Sequence, residues 1–465
     1  MLINPIKHFF KNILSVVFVL SLLVTNVQAM VIKTPISIST LIETNFLRDN
    51  NKQYLLITLD KNNIDITKSM VQNFQDIALD LDFTIHSELY NLDSIIANLD
   101  YKQFQTLKGM RKIANIRAYK ELKPAFNEIQ PEIKTAVSNT VFDPNVIPSY
   151  HQAIGITNYN STFRMSGSGQ TIAFIDTGTD FGYRELSGKM VAEACFSNIV
   201  NALSGHSSSL CPNGQSTQIG AGASMPCLDL RECQHGSIVA GIAIGRKTLT
   251  NHAGIAPNAR AISINIFHTT TDPDICGINV AKCLITSNFA YLKALDHIMT
   301  LHRTIPVLAV NMSLGSPTTR PDDCDDSDTE TFHNLILRGV AIIISAGNEG
   351  DKTQMSDPAC QSRVLSVASY NENTKTISSF SNISPKTNYL APGNYVRSLG
   401  YRSSGTSMSA PIVAGAFALM REAGSISVLT TQKILMDTGT IFPTQKAKLI
   451  DINKALGVIR LRNTI

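Results

Sequence analysis

Tryptophan is absent from the 465 residues, the first 190 contain no cysteine, and no long block of like charge occurs anywhere. The missing tryptophan excludes nothing by itself. The missing basic block does: Lys and Arg number 40 against 36 Asp and Glu, a net +4, so no dense cationic face is offered to nucleic acid or to an anionic membrane. Beyond the N-terminus no segment approaches the ~20 apolar residues that a spanning helix needs, so a soluble chain without a membrane anchor is expected once that terminus is removed. What is present is ordinary for a globular chain, 43% hydrophobic and 16% charged, which sets disorder and collagen-like repeats aside. At roughly 150 residues per domain the length suits one large domain with smaller segments ahead of it.

The first of those segments is at the N-terminus. Lys7 and Lys11 precede an apolar run from Ile13 to Val24, and Val27 and Ala29 place small residues at the −3 and −1 positions of a cleavage site. Residues 1–29 read as a signal peptide and imply export. The eight cysteines, from Cys195 to Cys360, are an even set that suits disulfides in an oxidising compartment. Neighbours such as Cys276 and Cys283 suggest pairs, although spacing alone does not select a connectivity. Zinc is disfavoured, because Cys227 and Cys233 are six apart and Cys276 and Cys283 seven apart, unlike CxxC sites.

Residues 30–122 read as a separate small unit. Tyr54 to Leu59 and Phe83 to Leu89 look extended, Lys68 to Leu81 and Leu92 to Leu107 have helical spacing, and Ile113 to Ala118 is a last strand. This order suits a ferredoxin-like α+β domain but falls one strand short of it. Residues 123–148, with Pro124, Pro131, Pro144 and Pro148, read as a linker and a place for cleavage. After Gly167 the pattern changes to apolar strands alternating with helices: Thr171 to Ile175, Ala261 to Phe267, Val307 to Asn311, Ala341 to Ser345 and Val364 to Ala368. Such runs indicate a mostly parallel sheet covered on both faces, with ligands at the carboxyl ends of its strands. Residues 149–465 are therefore expected to form one α/β domain.

Four motifs fall at those ends. Asp176, in TIAFIDTGTD, follows a strand directly, which alone would suit a turn cap. His235 opens the glycine-spaced apolar stretch HGSIVAGIAIG, where a side chain can reach over a cleft. Ser407, in SGTSMSAPIVAG, follows a Gly-Thr turn into a helix, so its hydroxyl projects and its backbone N–H is free of intrahelical bonding. A serine that attacks a carbonyl needs a base and a donor for the developing oxyanion, and both must come from the surrounding geometry. Asn348, in AIIISAGNEG, is a neutral amide at a strand end that could be such a donor.

Together these motifs resemble the subtilisin-like serine proteases, in which the triad runs in the order Asp, His, Ser. The resemblance extends over nearly all of Gly167 to Gly457 and includes GIAPNARAISINIF from Gly254, VNMSLGSP from Val310, SSFSNISP from Ser378, APG from Ala391, GTSMSAPIVAG from Gly405 and TGTIFP from Thr438. Residues 30–122 look like the family's inhibitory propeptide, and family-like sequence continues to Leu456. The resemblance implies a three-layer α/β fold. It makes Ser407 the nucleophile, His235 the general base and acid, Asp176 the residue orienting the imidazole, and Asn348 with the Ser407 N–H the oxyanion hole. Ser313, Leu314 and Gly315 would pair with the substrate backbone, and Ser345, Ala346 and Gly347 would line the pocket before the scissile bond. It implies a secreted, monomeric endopeptidase acting on proteins and peptides, with its propeptide as intramolecular inhibitor and no cofactor in the chemistry. Structural calcium is common in the family, and Glu185 falls where one acidic ligand commonly sits. Two departures lie beside the triad: Thr179 replaces an aliphatic residue, and Tyr183-Arg184 stands where His-Pro is frequent. The acidic run Asp322, Asp323, Asp325, Asp326 and Asp328 reads as a solvated loop rather than a cation site. The competing reading is a secreted binding protein on an inactive scaffold. A lipid esterase would need a GxSxG elbow and another residue order.

Overall fold

The computed structural model describes residue 46 and residues 52–125, 128–131, 147–157, 165–197, 206–248, 252–319, 324, 326–442 and 445–463; the signal-peptide expectation lies outside them. The N-terminal unit is a four-stranded antiparallel sheet carrying two helices, in the order β1 (Gln53–Leu59), α1 (Met70–Leu81), β2 (Ile85–Leu89), β3 (Ser94–Leu99), α2 (Tyr101–Lys108) and β4 (Ile113–Ala118). Ser69 caps α1 and Asp100 caps α2, each in a reciprocal capping box with a glutamine three residues on. The strand that the sequence reading lacked is β3, in the segment Leu92 to Leu107 expected to be wholly helical. Ile95, Ile96, Ala97 and Leu99 are all buried, because β3 lies between β1 and β2. A short all-apolar run carries no period that separates a buried strand from a helix. Asp93, at φ 49°, makes the reversal that brings β3 back against β2.

The larger part is built on one sheet. Eight parallel strands lie in the order Met190–Phe196, Arg260–Asn265, Thr171–Asp176, Ala309–Met312, Ala341–Ser345, Leu365–Asn371, Tyr389–Pro392 and Gln445–Leu449, with antiparallel edges at Thr217–Ile219 and Thr440–Phe442. The two central strands Thr171–Asp176 and Ala341–Ser345 are buried at every residue, as near-continuous apolar composition requires of a sheet covered on both faces. Helix His235–Ile244 packs beside the long helix Thr406–Gly424, while Asn288–Leu301 and Thr329–Leu337 cover other strands. The eight cysteines pair as the disulfides Cys195–Cys211, Cys227–Cys233, Cys276–Cys283 and Cys324–Cys360, which suits an oxidising compartment.

Buried histidines are expected to make the fold sensitive to acid, since burial pushes both His151 and His268 down. His268, at the start of the short strand His268–Thr270, is 2% exposed, and neither ring nitrogen has a hydrogen-bond partner among the described residues. Burial pushes its pKa down to about 4 from 6.5. The unfolded chain therefore takes up the proton first: stability is unaffected above about pH 6.5 and falls as the pH drops from there toward 4, by up to about 3 kcal/mol. In His268→Leu the denaturation midpoint should lose less between about pH 7 and pH 4.5 than in the wild type. Identical slopes in the two proteins would show that His268 does not contribute to the acid sensitivity.

Candidate active site

Asp176 ends the strand Thr171–Asp176 and is 1% exposed. Its Oδ1 accepts from the Thr177 N–H at 2.7 Å and lies 2.7 Å from His235 Nδ1. A carboxylate on Nδ1 sets the tautomer with the proton there and leaves Nε2 as the basic nitrogen. Thr177 fixes the geometry from beneath: its hydroxyl donates to the Cys233 carbonyl and accepts from the Gly236 N–H, both at 2.9 Å, tying the strand end to the first turn of the helix that starts at His235. Both departures noted beside this pair are absorbed by hydroxyls. Thr179 accepts from Ser263 Oγ at 3.0 Å in the core, and Tyr183 donates to Gln234, the residue before His235.

Ser407 is the second residue of the helix Thr406–Gly424, whose cap, Gly405, has φ 153° and ψ 160°. Only glycine adopts that conformation without strain, and it turns the strand Tyr401–Ser404 sharply into the helix. The Ser407 N–H has no intrahelical partner at this position and points, with the positive end of a 19-residue helix, into the cleft. Asn348 is held by the same turn. Its Oδ1 accepts from Thr406 N–H at 2.9 Å and from the Thr406 hydroxyl at 3.0 Å. The amide is thereby oriented, and its Nδ2 is buried with no hydrogen-bond partner among the described residues. Both residues expected to supply oxyanion donors are thus tied to Thr406, Asn348 through its Oδ1 and Ser407 through the chain.

The chain itself lies in this cleft. β5 (Glu121–Pro124) inserts between two strands, pairing antiparallel with Cys283–Ser287 through Leu122 and Glu121, and with Leu314–Gly315 through Pro124 and Lys123. The Ala125 N–H donates to the Ser313 carbonyl at 3.0 Å. Its carbonyl oxygen accepts from the Ser407 N–H at 3.1 Å and from the Ser407 hydroxyl. On the other side of residues 126–127, β6 (Glu128–Pro131) pairs antiparallel with Tyr401–Ser404. The boundary expected between residues 122 and 123 falls inside β5, so the described start of the expected linker is bound as strand rather than crossing a surface.

Of the residues named from sequence, Ser313, Leu314 and Gly315 contact the cleft strand directly. Ser345 donates to the Leu314 carbonyl at 3.4 Å, which sets the strand end Ser345–Gly347 beside them. Sequence reasoning missed the side chains behind Gly347: Ser356 donates to Glu349 at 2.9 Å, and Asn382 donates to both. They come from three loops, and no local pattern marks them. It also missed Thr406, Thr177 and Ala125. Thr406 and Thr177 lie next to named residues and could have been found by asking what orients each one; nothing in the sequence marks Ala125.

Two charged candidates resolve differently. Glu185 is 6% exposed, accepts from the Thr248 hydroxyl at 2.8 Å, and among the described residues belongs to no cluster of three metal-binding side chains. Asp328, expected on a solvated loop, is instead buried and ion-paired to Arg117. A carboxylate that receives a guanidinium can be taken out of water, and that partner is 211 residues away. Residues 322, 323 and 325 of the same run lie outside the described residues.

Comparison with known proteins matches residues 167–457 to the Subtilase family of peptidases. A thermophilic serine proteinase of Bacillus sp. (strain AK1) is 27% identical over 352 residues, covering 71% of this chain and 74% of that protein. The major intracellular serine protease of Bacillus subtilis (strain 168) is 29% identical over 197 residues, or 40% of this chain and 54% of that one. Among solved structures, fervidolysin from Fervidobacterium pennivorans, a keratinolytic enzyme related to subtilisin, superposes with a TM-score of 0.62 at 21% identity, covering 88% of this chain and 62% of that one. The epidermin leader peptide processing serine protease of Staphylococcus aureus gives 0.60 at 16% identity, over 88% and 98%. At such identities these structures speak for the fold.

Proposed function

Because the chain belongs to the subtilase family and is a subtilisin-like serine endopeptidase, we propose that it is exported as a latent precursor and that Ser407, His235 and Asp176 carry its chemistry. The observation that carries this reading is Ala125, whose carbonyl oxygen receives the Ser407 N–H in a cleft strand paired on both edges. That is the position of the residue before a scissile bond.

In this reading His235 Nε2 takes the Ser407 proton as Oγ bonds to the substrate carbonyl carbon, while Asp176 steadies the imidazolium through Nδ1. The negative charge gathers on the carbonyl oxygen, toward the Ser407 N–H and Asn348 Nδ2. His235 then gives its proton to the leaving amine as the C–N bond breaks, leaving an acyl group on Ser407. Water, deprotonated by His235, releases the acid and restores the enzyme.

The same reading makes Ala125–Phe126 the maturation bond, cut by the chain's own Ser407, and makes residues 30–125 the inhibitor that occupies the cleft until it leaves. The mature N-terminus should be Phe126, as read by intact mass and N-terminal sequencing of the secreted protein. A mature chain starting well outside residues 124–128 would contradict the assignment. The competing binding-scaffold reading predicts full-length protein that neither cuts itself nor takes a serine-directed fluorophosphonate.

A further inference from the structure

We infer that the enzyme carries a second recognition site, beyond the cleft, that selects substrates with cationic residues six and nine positions before the bond they present. It is built from Asp328, Asp357, Gln361, Tyr291 and Asn288, and the inference rests on the cleft assignment above, with Ala125 as the first residue before the bond.

The propeptide segment leading into the cleft is held at three points. Asn288 brackets its backbone: the side-chain oxygen accepts from Lys120 N–H at 2.9 Å, the amide donates to the Ala118 carbonyl at 2.9 Å, and the Asn288 N–H donates to the Lys120 carbonyl at 3.1 Å. Tyr119 meets the edge of Phe289, with ring centroids 5.9 Å apart. The two cationic side chains then enter an acidic pair. Arg117 is ion-paired to Asp328, and Lys120 Nζ lies 3.6 Å from Asp357 Oδ2. The two aspartates are 2% and 1% exposed. They are joined by Gln361, whose amide donates to Asp357 at 2.6 Å and to Asp328 at 3.2 Å, and Asp328 also receives the Tyr291 hydroxyl.

All five of these residues belong to the part that remains after maturation, whereas Arg117 and Lys120 leave with the propeptide. Removing a cation from a buried carboxylate is unfavourable unless another charge or water replaces it. The acidic pair is therefore left able to accept the next suitable chain. Asp357 is also joined to the cleft: its carbonyl accepts from Ser316 N–H at 2.8 Å, one residue past Gly315, which pairs with the substrate-like strand. An extended substrate running over Asn288 into the cleft would bring its sixth and ninth residues before the bond to these carboxylates, as Lys120 and Arg117 do now. The mature enzyme should thus favour long substrates with an arginine or lysine at those positions over short peptides that fill only the cleft.

The test uses the matured wild-type enzyme and a fluorescent peptide of residues 115–125 ending in the free Ala125 carboxylate, which has no bond left to cut. Binding is followed by anisotropy. Arg117→Gln in the peptide should weaken binding at least about tenfold, and Lys120→Gln by a smaller factor. The Arg117 effect should vanish with an Asp328→Asn enzyme. If native and doubly substituted peptides bind the wild type within about twofold, the second site does not exist. Fluorophosphonate labelling of the same sample separates this from the catalytic assignment: unlabelled protein that keeps the peptide preference sinks the catalytic reading alone, and labelled protein without the preference sinks the second site alone.

Discussion

Ser407→Ala is expected to leave the protein folded, uncut at Ala125–Phe126 and unreactive toward a fluorophosphonate, with peptide hydrolysis lowered by about a millionfold in kcat. The substitution deletes one oxygen from a buried position at the second residue of a 19-residue helix. That position tolerates alanine well in helical terms, and the bonds from the Ser407 hydroxyl to the Ala125 and Ser313 carbonyls are minor beside the packing of the helix. The loss should therefore appear in chemistry and leave the melting temperature close to that of the uncut wild-type precursor. Expression of the two proteins side by side, with mass spectrometry for chain length and the probe for the nucleophile, reads both consequences at once. Normal processing of the variant would mean that another protease cuts the linker. A wild type that matures but never labels would move the chain to the inactive-scaffold reading.

The second large effect belongs to Asn348. Its amide nitrogen is buried without a partner among the described residues, while its oxygen is fixed by two bonds from Thr406. A donor held in this way gains its hydrogen bond only when negative charge develops on the substrate oxygen, so it acts on the barrier rather than on binding. Asn348→Ala should lower kcat by about 10²–10³, roughly 3–4 kcal/mol of barrier, with little change in KM. A rise in KM at constant kcat would instead place Asn348 in ground-state binding. Because the substitution also frees Thr406, its melting curve belongs with the kinetics: a variant that loses activity and several degrees together would not isolate the oxyanion donor.

The residues proposed for the chemistry are legible in the sequence because each lies in a local string. Asp176 follows an apolar strand, His235 opens a glycine-spaced helix, and Ser407 follows a glycine that its backbone angles require. The parallel strands were legible for the same reason: burial on both faces imposes continuous apolar composition. The strand Ser94–Leu99 was not, since four apolar residues in a short segment fit a helix face as readily as a central strand. Asp328 also departs from its sequence reading, whereas Asp326 of the same run is exposed as expected. The run's acidity marks a solvated loop by composition, and only the arrival of Arg117 makes burial of the Asp328 carboxylate tolerable.

By itself, then, the sequence determined the family and the class of fold, and it marked the residues proposed to carry the chemistry, because these are written in patterns a few residues long. Tertiary structure alone decided what those residues face. It brought Asp176 to His235 across 59 residues and set the Ala125 carbonyl on Ser407 across 282. It also closed Arg117 and Lys120 over the Asp328–Asp357 pair. Contacts of that kind depend on where distant segments meet once the sheet has formed, and no short stretch of chain records them.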